Sequence, residues 1–220
     1  MATDPNPIPG RLTIVSAPSG GGKTSLTRAL LPRLAAHGVR ACISVSYTTR
    51  APRSGEVDGE HYHFIDEPRF LEMIAADAFL EHAQVFGRRY GTGRARTQAL
   101  LDQGFDVILD IDWQGARQVR RVMPESCSVF ILPPSLAELE RRLRARSQDD
   151  DATIARRMGD AQREMSHYDE YDHLIVNDDF DRALEALTAV FLSPHLRRPL
   201  QAARHAHLIR ELLANSSPVR

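Results

Sequence analysis

The chain has 220 residues, of which 42% are hydrophobic and 26% are charged, and its formal net charge at pH 7 is −1. This length suits one α/β domain with a proper core and small inserts. The near-zero charge argues against a general binder of nucleic acid or membrane surfaces. No apolar stretch approaches the roughly 18 residues that span a bilayer. Cys42 and Cys127 lie in apolar stretches, which predicts buried free thiols in a cytoplasmic protein.

The first periodic segments surround a glycine-rich loop. Residues 1–10 contain three prolines and no apolar run, which predicts a loose tail. Residues 11–16 predict a short buried strand, and residues 24–37 predict a helix that ends at Gly38. A strand, a glycine loop and a helix in this order direct backbone N–H groups and the positive end of the helix at one point. We therefore expect a polyphosphate there.

The loop fits the phosphate-binding pattern G-x-x-x-x-G-K-[ST], except that its first residue is Ala17. In this pattern Lys23 reaches the β and γ phosphates and the hydroxyl of Thr24 binds Mg²⁺. Lys23 is also the only lysine in the chain, and a compact ammonium among phosphate oxygens is not replaceable by arginine. The residues predicted to bind the phosphates of ATP are Ala17, Pro18, Ser19, Gly20, Gly21, Gly22, Lys23, Thr24 and Ser25.

The rest of the chain alternates strands and helices around one irregular stretch. Residues 46–93 are rich in turn residues, arginines and tyrosines, which predicts an inserted subdomain. The alternation elsewhere predicts an α/β fold with a parallel sheet flanked by helices. The further predicted elements are strands at 39–45, 107–112, 128–132 and 174–177, and helices at 67–76, 94–103, 135–145 and 152–165, with a last helix that ends near residue 192.

Polar residues lie at the ends of two of these predicted strands. Asp110 and Asp112 share one face of the strand at 107–112, because side chains alternate along a strand. Asn177 ends the strand at 174–177. Ligands of open parallel sheets bind beyond the carboxyl ends of the strands, where the glycine loop also lies. All three residues are therefore candidate ligand contacts, and Asn177 is assigned to the ATP phosphates.

These motifs resemble those of the guanylate kinase family in its bacterial form, whose members phosphorylate GMP with ATP in purine nucleotide metabolism. Bacterial members also tolerate alanine at the position of Ala17. The resemblance covers about residues 11–192 and a tail motif that begins at Arg204. It is carried by Ser-Ala-Pro-Ser-Gly before the lysine, Ser46-Tyr-Thr-Thr-Arg50 with Pro-Arg53, Gly-Glu-His-Tyr62, Phe-Leu-Glu81, Tyr90-Gly-Thr92, Leu-Asp110-Ile-Asp112-Trp-Gln-Gly and Ile-Val-Asn177-Asp-Asp.

The resemblance implies a division of the chain and a role for each matching residue. The core comprises residues 11–45, 94–141 and 159–193, with a GMP-binding insert at 46–93, a lid at 142–158 and a helical tail at 194–220. The guanine contacts are Ser46, Glu81, Thr92 and Asp112, with Asp110 joining the GMP site through Mg²⁺-bound water. Arg50, Arg53, Tyr62 and Tyr90 hold the GMP phosphate. The catalytic cations are Lys23, Arg50 and the lid arginines Arg142, Arg146 and Arg157.

The chemistry of guanine agrees with these residue types. Guanine presents N1–H and an exocyclic amine side by side, and one carboxylate such as that of Glu81 accepts both. Serine and threonine hydroxyls donate to O6, where adenine has an amine instead, so AMP is expected to be a poor substrate. A phosphate monoester is mostly dianionic at neutral pH, with a second pKa of about 6, so the GMP oxygen needs no general base.

The sequence leaves several alternatives open. Arg142 lies four residues after Glu138, which also suits a solvent-exposed helical ion pair. The tail packs either on the core or on a second subunit of a homodimer or larger oligomer. A kinase for a sugar phosphate such as ribose 1,5-bisphosphate would need neither Glu81 nor Thr92 as a base reader. A non-catalytic scaffold domain would have no need for Lys23 together with these arginines.

Overall fold

The computed structural model of the chain describes residues 9–85, 87–146 and 150–214, apart from the side chains of Val85 and Arg146. The strands are β1 (Leu12–Ser16), β2 (Ala41–Ile43), β3 (Tyr47–Thr48), β4 (His63–Phe64), β5 (Phe79–Val85), β6 (Arg88–Gly93), β7 (Asp106–Asp110), β8 (Cys127–Leu132) and β9 (His173–Val176). The helices are α1 (Lys23–Ala36), α2 (Glu67–Ala75), α3 (Arg94–Asp102), α4 (Trp113–Val122), α5 (Leu136–Arg146), α6 (Asp151–Met165), α7 (Phe180–Leu192), α8 (Arg198–Arg204) and α9 (Ala206–Ala214).

The predicted parallel sheet is confirmed. It has five strands in the order β2-β7-β1-β8-β9, and every neighbouring pair is parallel. Alternate residues of β1 face opposite sides, so Val15 packs in a cluster with α1 and α7, whereas Ile14 packs in a cluster with α3 and α4. Helices thus cover both faces, and the carboxyl ends of β1 and β7 meet at one edge.

Residues 46–93 contain a second sheet. Its order is β4-β3-β6-β5, with β3 and β5 antiparallel to β6. The helix α2 begins at Asp66, whose carboxylate accepts the N–H of Arg69 at 2.8 Å, and Phe70 stacks on Phe79 with ring centroids 4.6 Å apart. Leu80 of β5 is buried in the α3 and α4 cluster of the central domain, so the second sheet rests against the first through this strand.

The predicted strand at 107–112 was wrong at its carboxyl end. The strand β7 ends at Asp110, and Asp112 begins α4, because its carboxylate accepts the N–H of Gly115 at 2.9 Å. Asp110 and Asp112 therefore do not share a strand face, and α4 is a helix that the sequence reasoning missed. The strand predicted at 39–45 is also shorter, since β2 covers Ala41–Ile43 only.

The last third of the chain is helical around β9. Ser135 caps α5, because its Oγ accepts the N–H of Glu138 at 3.1 Å. At the tail, Leu208, Leu212 and Leu213 of α9 are 50%, 66% and 67% exposed, so this helix does not bury these side chains on the core. Across the described ranges, no helix has the length and apolar character needed to cross a membrane.

Candidate active site

The glycine loop between β1 and α1 has the backbone geometry that only glycine adopts readily. Gly20 and Gly22 have φ angles of +87° and +97°. A Cβ atom on Gly22 would also lie 2.2 Å from Asn177 Nδ2, which donates to the carbonyl of Gly21 at 2.9 Å. Asn177 therefore supports the loop from β9, although it lies 156 residues away in the chain.

Lys23 lies at the amino end of α1 and points to the edge of the central sheet. Its Nζ is 2.5 Å from Asp110 Oδ1 and donates to the carbonyl of Ile111 at 3.2 Å. Two predicted site residues from different strand ends are thus in direct contact. Thr24 follows on the first turn of α1, where its exposed side chain lines the same opening as Lys23.

The helices α5 and α6 hold the glycine loop from the other side. Glu164 Oε2 accepts the N–H of Ser19 at 3.0 Å, and Arg157 Nη2 donates to the hydroxyl of Ser19 at 3.1 Å. Burial raises the pKa of Glu164, an effect that the hydrogen bond from Ser19 partly offsets. Two residues of α6 therefore contact one residue of the loop.

Arg142 of α5 forms the helical ion pair that the sequence suggested and also contacts the main chain beside the glycine loop. Its Nε donates to Glu138 at 2.8 Å, which is the helical ion pair, and its Nη2 donates to the carbonyl of Asn177 at 3.1 Å, next to the loop. Arg142 and Arg157 thus lie around the glycine loop. The side chain of Arg146, the third predicted lid cation, lies outside the described part of the structure.

A cavity of about 860 Å³ lies between the glycine loop and the second sheet. It brings together predicted residues that are far apart in the chain, from the loop, both strand ends and the 46–93 stretch. These are Ser19, Lys23, Thr24, Ser46, Tyr62, Glu81, Tyr90, Asp110 and Asp112. The cavity thus has one end at the glycine loop, where Lys23 lies, and another end lined by carboxylates and tyrosines.

Glu81 is a buried carboxylate at the wall of this cavity. It is 4% exposed, and its Oε1 accepts the hydroxyl of Thr92 at 2.6 Å from the opposite strand. The pKa of Glu81 is raised to about 7, because burial raises it, the hydrogen bond from Thr92 opposes part of that shift, and the nearby charge of Asp112 adds to it. Thr92 fixes the orientation of the carboxylate, and Glu81 lines the cavity. This arrangement suits a ligand that presents two adjacent hydrogen-bond donors.

Arg50 forms a second polar group beside Tyr62. Its Nη2 donates to Glu56 at 2.8 Å, and its guanidinium lies 5.4 Å from the centre of the Tyr62 ring. The hydrogen bond from Arg50 lowers the pKa of Glu56 to about 2, so this carboxylate is ionised at neutral pH. Tyr90 packs on Tyr62 with ring centroids 5.9 Å apart. Arg53 bonds Glu56 through its backbone N–H at 2.7 Å, and its side chain is exposed outside the cavity wall.

Comparison with known proteins shows the family to which the chain is related. A family model described as guanylate kinase matches residues 9–193. The chain belongs to the guanylate kinase family. A guanylate kinase of Escherichia coli strain K12 is 56% identical over 206 residues, which cover 94% of this chain and 99% of the relative. One of Alkalilimnicola ehrlichii is 57% identical, with 94% and 100% covered. The crystal structure of guanylate kinase from Anaplasma phagocytophilum superposes with a TM-score of 0.71 at 31% identity, covering 98% of this chain and 99% of that one.

Several residues of this guanylate kinase site were missed by sequence reasoning. Glu164, Glu56 and Arg28 line the cavity, and Gly115 contacts its buried carboxylate from α4. Gly115 stands in the quoted motif Asp112-Trp-Gln-Gly, so a signal for it existed. Glu164 has no such signal, because its partner Ser19 lies 145 residues earlier in the chain.

We expect Gly115→Ala to raise the KM for GMP about tenfold and to change the KM for ATP less than twofold. A Cβ atom there would lie 2.8 Å from Glu81 Oε2 and 3.3 Å from Ile111 Cδ1, so the carboxylate must move. Alanine favours a helix over glycine by about 1 kcal/mol, so a weakened α4 would not explain the loss. Steady-state kinetics measures both constants. Gly159→Ala is the control, since a Cβ atom there meets nothing within 4 Å. An unchanged KM for GMP in Gly115→Ala would contradict the expectation.

Proposed function

We propose that this guanylate kinase transfers the γ-phosphoryl group of ATP to GMP in the cavity between the glycine loop and the second sheet. The observation that carries the proposal is the buried Glu81 carboxylate, which shares a cavity with Lys23 of the phosphate loop. A site that only bound phosphates would have no use for a carboxylate whose burial opposes its ionisation. Paired donors of a guanine base stabilise the charged form and so offset that burial.

The base-reading end would consist of Glu81, Thr92, Asp112 and Ser46. Glu81 accepts N1–H and the exocyclic amine of guanine, one on each carboxylate oxygen, while Thr92 fixes the carboxylate by also donating to Oε1. Asp112 lies at the amino end of α4 and lines the same wall, where it is available to the exocyclic amine. Ser46 donates to O6. Adenine presents its polar groups in the opposite sense, and buried partners left unpaired favour GMP strongly.

The phosphate of GMP would lie against Arg50, Tyr62, Tyr90 and Arg53. Glu56 holds the guanidinium of Arg50 through an ion pair, which orients it for the phosphate. A GMP phosphate oxygen then attacks the γ-phosphorus of ATP, the bond from that phosphorus to the β,γ-bridging oxygen breaks, and ADP leaves. The GMP phosphate is mostly dianionic at neutral pH, so no side chain needs to remove a proton.

The transferring phosphoryl group would be stabilised by fixed cations. Lys23 sits at the amino end of α1, where the loop amides and the helix dipole favour anions. Arg142 and Arg157 border the loop from α5 and α6, and Arg146 belongs to the same proposed set. Such preorganised charges act on the equatorial oxygens of the transition state without reorganising during the reaction.

Mg²⁺ fits this site as a partner of ATP. Within residues 9–85, 87–146 and 150–214, no group of three or more His, Cys, Asp or Glu is arranged to hold a metal ion. A Mg²⁺ ion bound with a nucleotide takes one or two protein ligands and the rest from phosphates and water. Thr24 would hold it through its hydroxyl, and Asp110 would contact it through water. Bound there, Mg²⁺ neutralises charge on the β and γ phosphates.

The finer organisation is part of the same proposal. The insert at 46–93, the lid at 142–158 and the remaining core close together over the two substrates, excluding water from the phosphoryl group. We place the protein in the cytoplasm, because Cys42 and Cys127 are both free thiols, which suits a reducing compartment. A second subunit that covers the exposed leucines of α9 stays a prediction.

ADP production from ATP and Mg²⁺, with GMP, AMP, ribose 1,5-bisphosphate or no acceptor, tests the reaction directly. We expect rapid turnover with GMP and at least about 100-fold lower kcat/KM with AMP. Turnover with the sugar phosphate alone would keep the phosphate loop and reject the guanine site. If no acceptor gives ADP production although circular dichroism shows that the protein is folded, the result would favour a non-catalytic binding module.

A further inference from the structure

The side-chain amide of Gln118 pairs with the main chain of the strand that carries Glu81. Gln118 Nε2 donates to the carbonyl of His82 at 2.8 Å, and Gln118 Oε1 accepts the N–H of the same residue at 3.1 Å. His82 directly follows Glu81 on β5. Among the strands described, β5 is last in the order β4-β3-β6-β5, so one amide of a helix supplies the hydrogen bonds that a neighbouring strand would make.

The helix that carries Gln118 is anchored in the central domain. Ala116 and Val119 of α4 are fully buried in the cluster that includes Ile14 and Leu109 of the central sheet. On its outer side, Arg117 Nε donates to a Glu170 oxygen at 2.7 Å. The position of α4 is therefore fixed in the core of the central domain, and Gln118 joins β5 to this helix beside the packing of Leu80 in the same cluster.

The same face of α4 also contacts the Glu81 side chain. Gly115 lies one helical turn before Gln118 and leaves the space that Glu81 Oε2 occupies. The register of β5 against β6 shifts between Phe79 and Glu81, so the ladder to β6 is irregular where Glu81 needs a fixed position. The two hydrogen bonds of Gln118 hold the main chain of His82, the residue after Glu81. They therefore stabilise β5 next to the irregular part of its pairing with β6.

We infer that Gln118 is a positioning residue for guanine recognition, which fixes the Glu81 carboxylate relative to the phosphate loop by clamping the main chain of His82. The inference rests on the proposed role of Glu81 as the base reader. Gln118 itself touches neither substrate. Its contribution is to keep the distance between the base-reading carboxylate and Lys23 constant, by adding directed hydrogen bonds at His82 to the apolar packing of Leu80 and the ladder to β6.

The test compares Gln118→Met, which keeps the length of the side chain and removes both hydrogen bonds, with Gln98→Met. Gln98 is exposed on α3 and bonds Asp102 on its own helix, so it makes a matched control. For Gln118→Met we expect the KM for GMP to rise about tenfold, the preference for GMP over AMP to fall by a similar factor, and kcat and the KM for ATP to change less than twofold. Hydrogen exchange of the 79–85 segment should also accelerate.

A purely structural role would lower kcat and the affinity for both substrates together, or would leave the KM for GMP unchanged while exchange accelerates, and either result would overturn the inference. Should Gln118→Met fail to fold, Gln118→Glu carries the test. It keeps an acceptor for the His82 N–H, loses the donor to the carbonyl, and is expected to raise the KM for GMP at least threefold. Glu81→Gln is assayed in parallel. If Glu81→Gln leaves the GMP kinetics unchanged, the assignment of Glu81 as the base reader is wrong. If Glu81→Gln loses GMP activity while Gln118→Met does not, only the role of Gln118 is rejected.

Discussion

Replacing Lys23 by methionine is expected to lower kcat/KM for GMP phosphorylation about 10³-fold. The ammonium of Lys23 is the only lysine charge in the chain and lies at the amino end of α1, beside the loop amides. Methionine keeps the length of the side chain but removes the ammonium that stabilises the negative charge of the transferring phosphoryl group. Lys23→Arg should also lose at least about 100-fold, because a planar guanidinium does not fit where an ammonium does. Initial rates with saturating GMP and varied ATP measure the loss.

The pair between Lys23 and Asp110 requires a control. Removing the lysine leaves Asp110 without the cation that lies 2.5 Å away, and its charge alone would repel ATP. The double variant Lys23→Met, Asp110→Asn separates the two effects, and we expect it to stay as inactive as the single variant. Recovery to within tenfold of wild type would assign the loss to Asp110 instead. An amine-directed reagent gives an independent readout, since ATP with Mg²⁺ should protect Lys23 and leave the amino terminus reactive.

The elements of the central domain were predictable because their patterns are local. The leucines four residues apart in α1 predict a helix, and the apolar run Val-Phe-Ile-Leu that ends β8 predicts a buried strand. The exception is α4, whose few apolar residues recur at helical spacing and gave a signal that the prediction overlooked, although only Gly115, Ala116 and Val119 are buried. Because the helix α4 was not predicted, the predicted strand was extended from Asp110 to Asp112.

The contacts that complete the site were not predictable in the same way, because they join distant parts of the chain. The motifs named Glu81, Thr92 and Lys23, and the structure places Glu81 and Lys23 at one cavity, with Thr92 bonded to Glu81. No spacing rule relates Ser19 to Glu164 or His82 to Gln118, since each pair forms only when separate elements pack. Residue types that meet a ligand are thus visible in a sequence, whereas residues that hold them in place become visible only in the fold.

Replacing Glu81 by glutamine is expected to lower kcat/KM for GMP at least about 100-fold. The amide keeps the size of the side chain but offers one acceptor where guanine needs two, and it turns an N–H₂ group toward guanine donors or toward the hydroxyl of Thr92. The KM for ATP should change less than twofold, since Glu81 lies on β5, away from the glycine loop. Glu72→Gln on the exposed face of α2 is the control, with unchanged kinetics expected. A loss below about tenfold would reject Glu81 as the base reader.

The same variant is expected to be more stable than wild type at pH 8. Burial raises the pKa of Glu81 from 4.5 to about 7, so the folded protein disfavours the charged form that the unfolded chain accepts. The stability associated with the neutral acid is fully present below pH 4.5 and is lost as the pH rises through 7. Glutamine is neutral throughout, so the melting temperature of Glu81→Gln should exceed that of wild type by several °C at pH 8, and the difference should shrink toward pH 4.5.

A difference in melting temperature that does not depend on pH would show that Glu81 is ionised without penalty. A larger gain at acid pH would contradict the raised pKa. The expected pattern would mean that ionised Glu81 destabilises the fold, and that hydrogen bonds donated by guanine offset this cost.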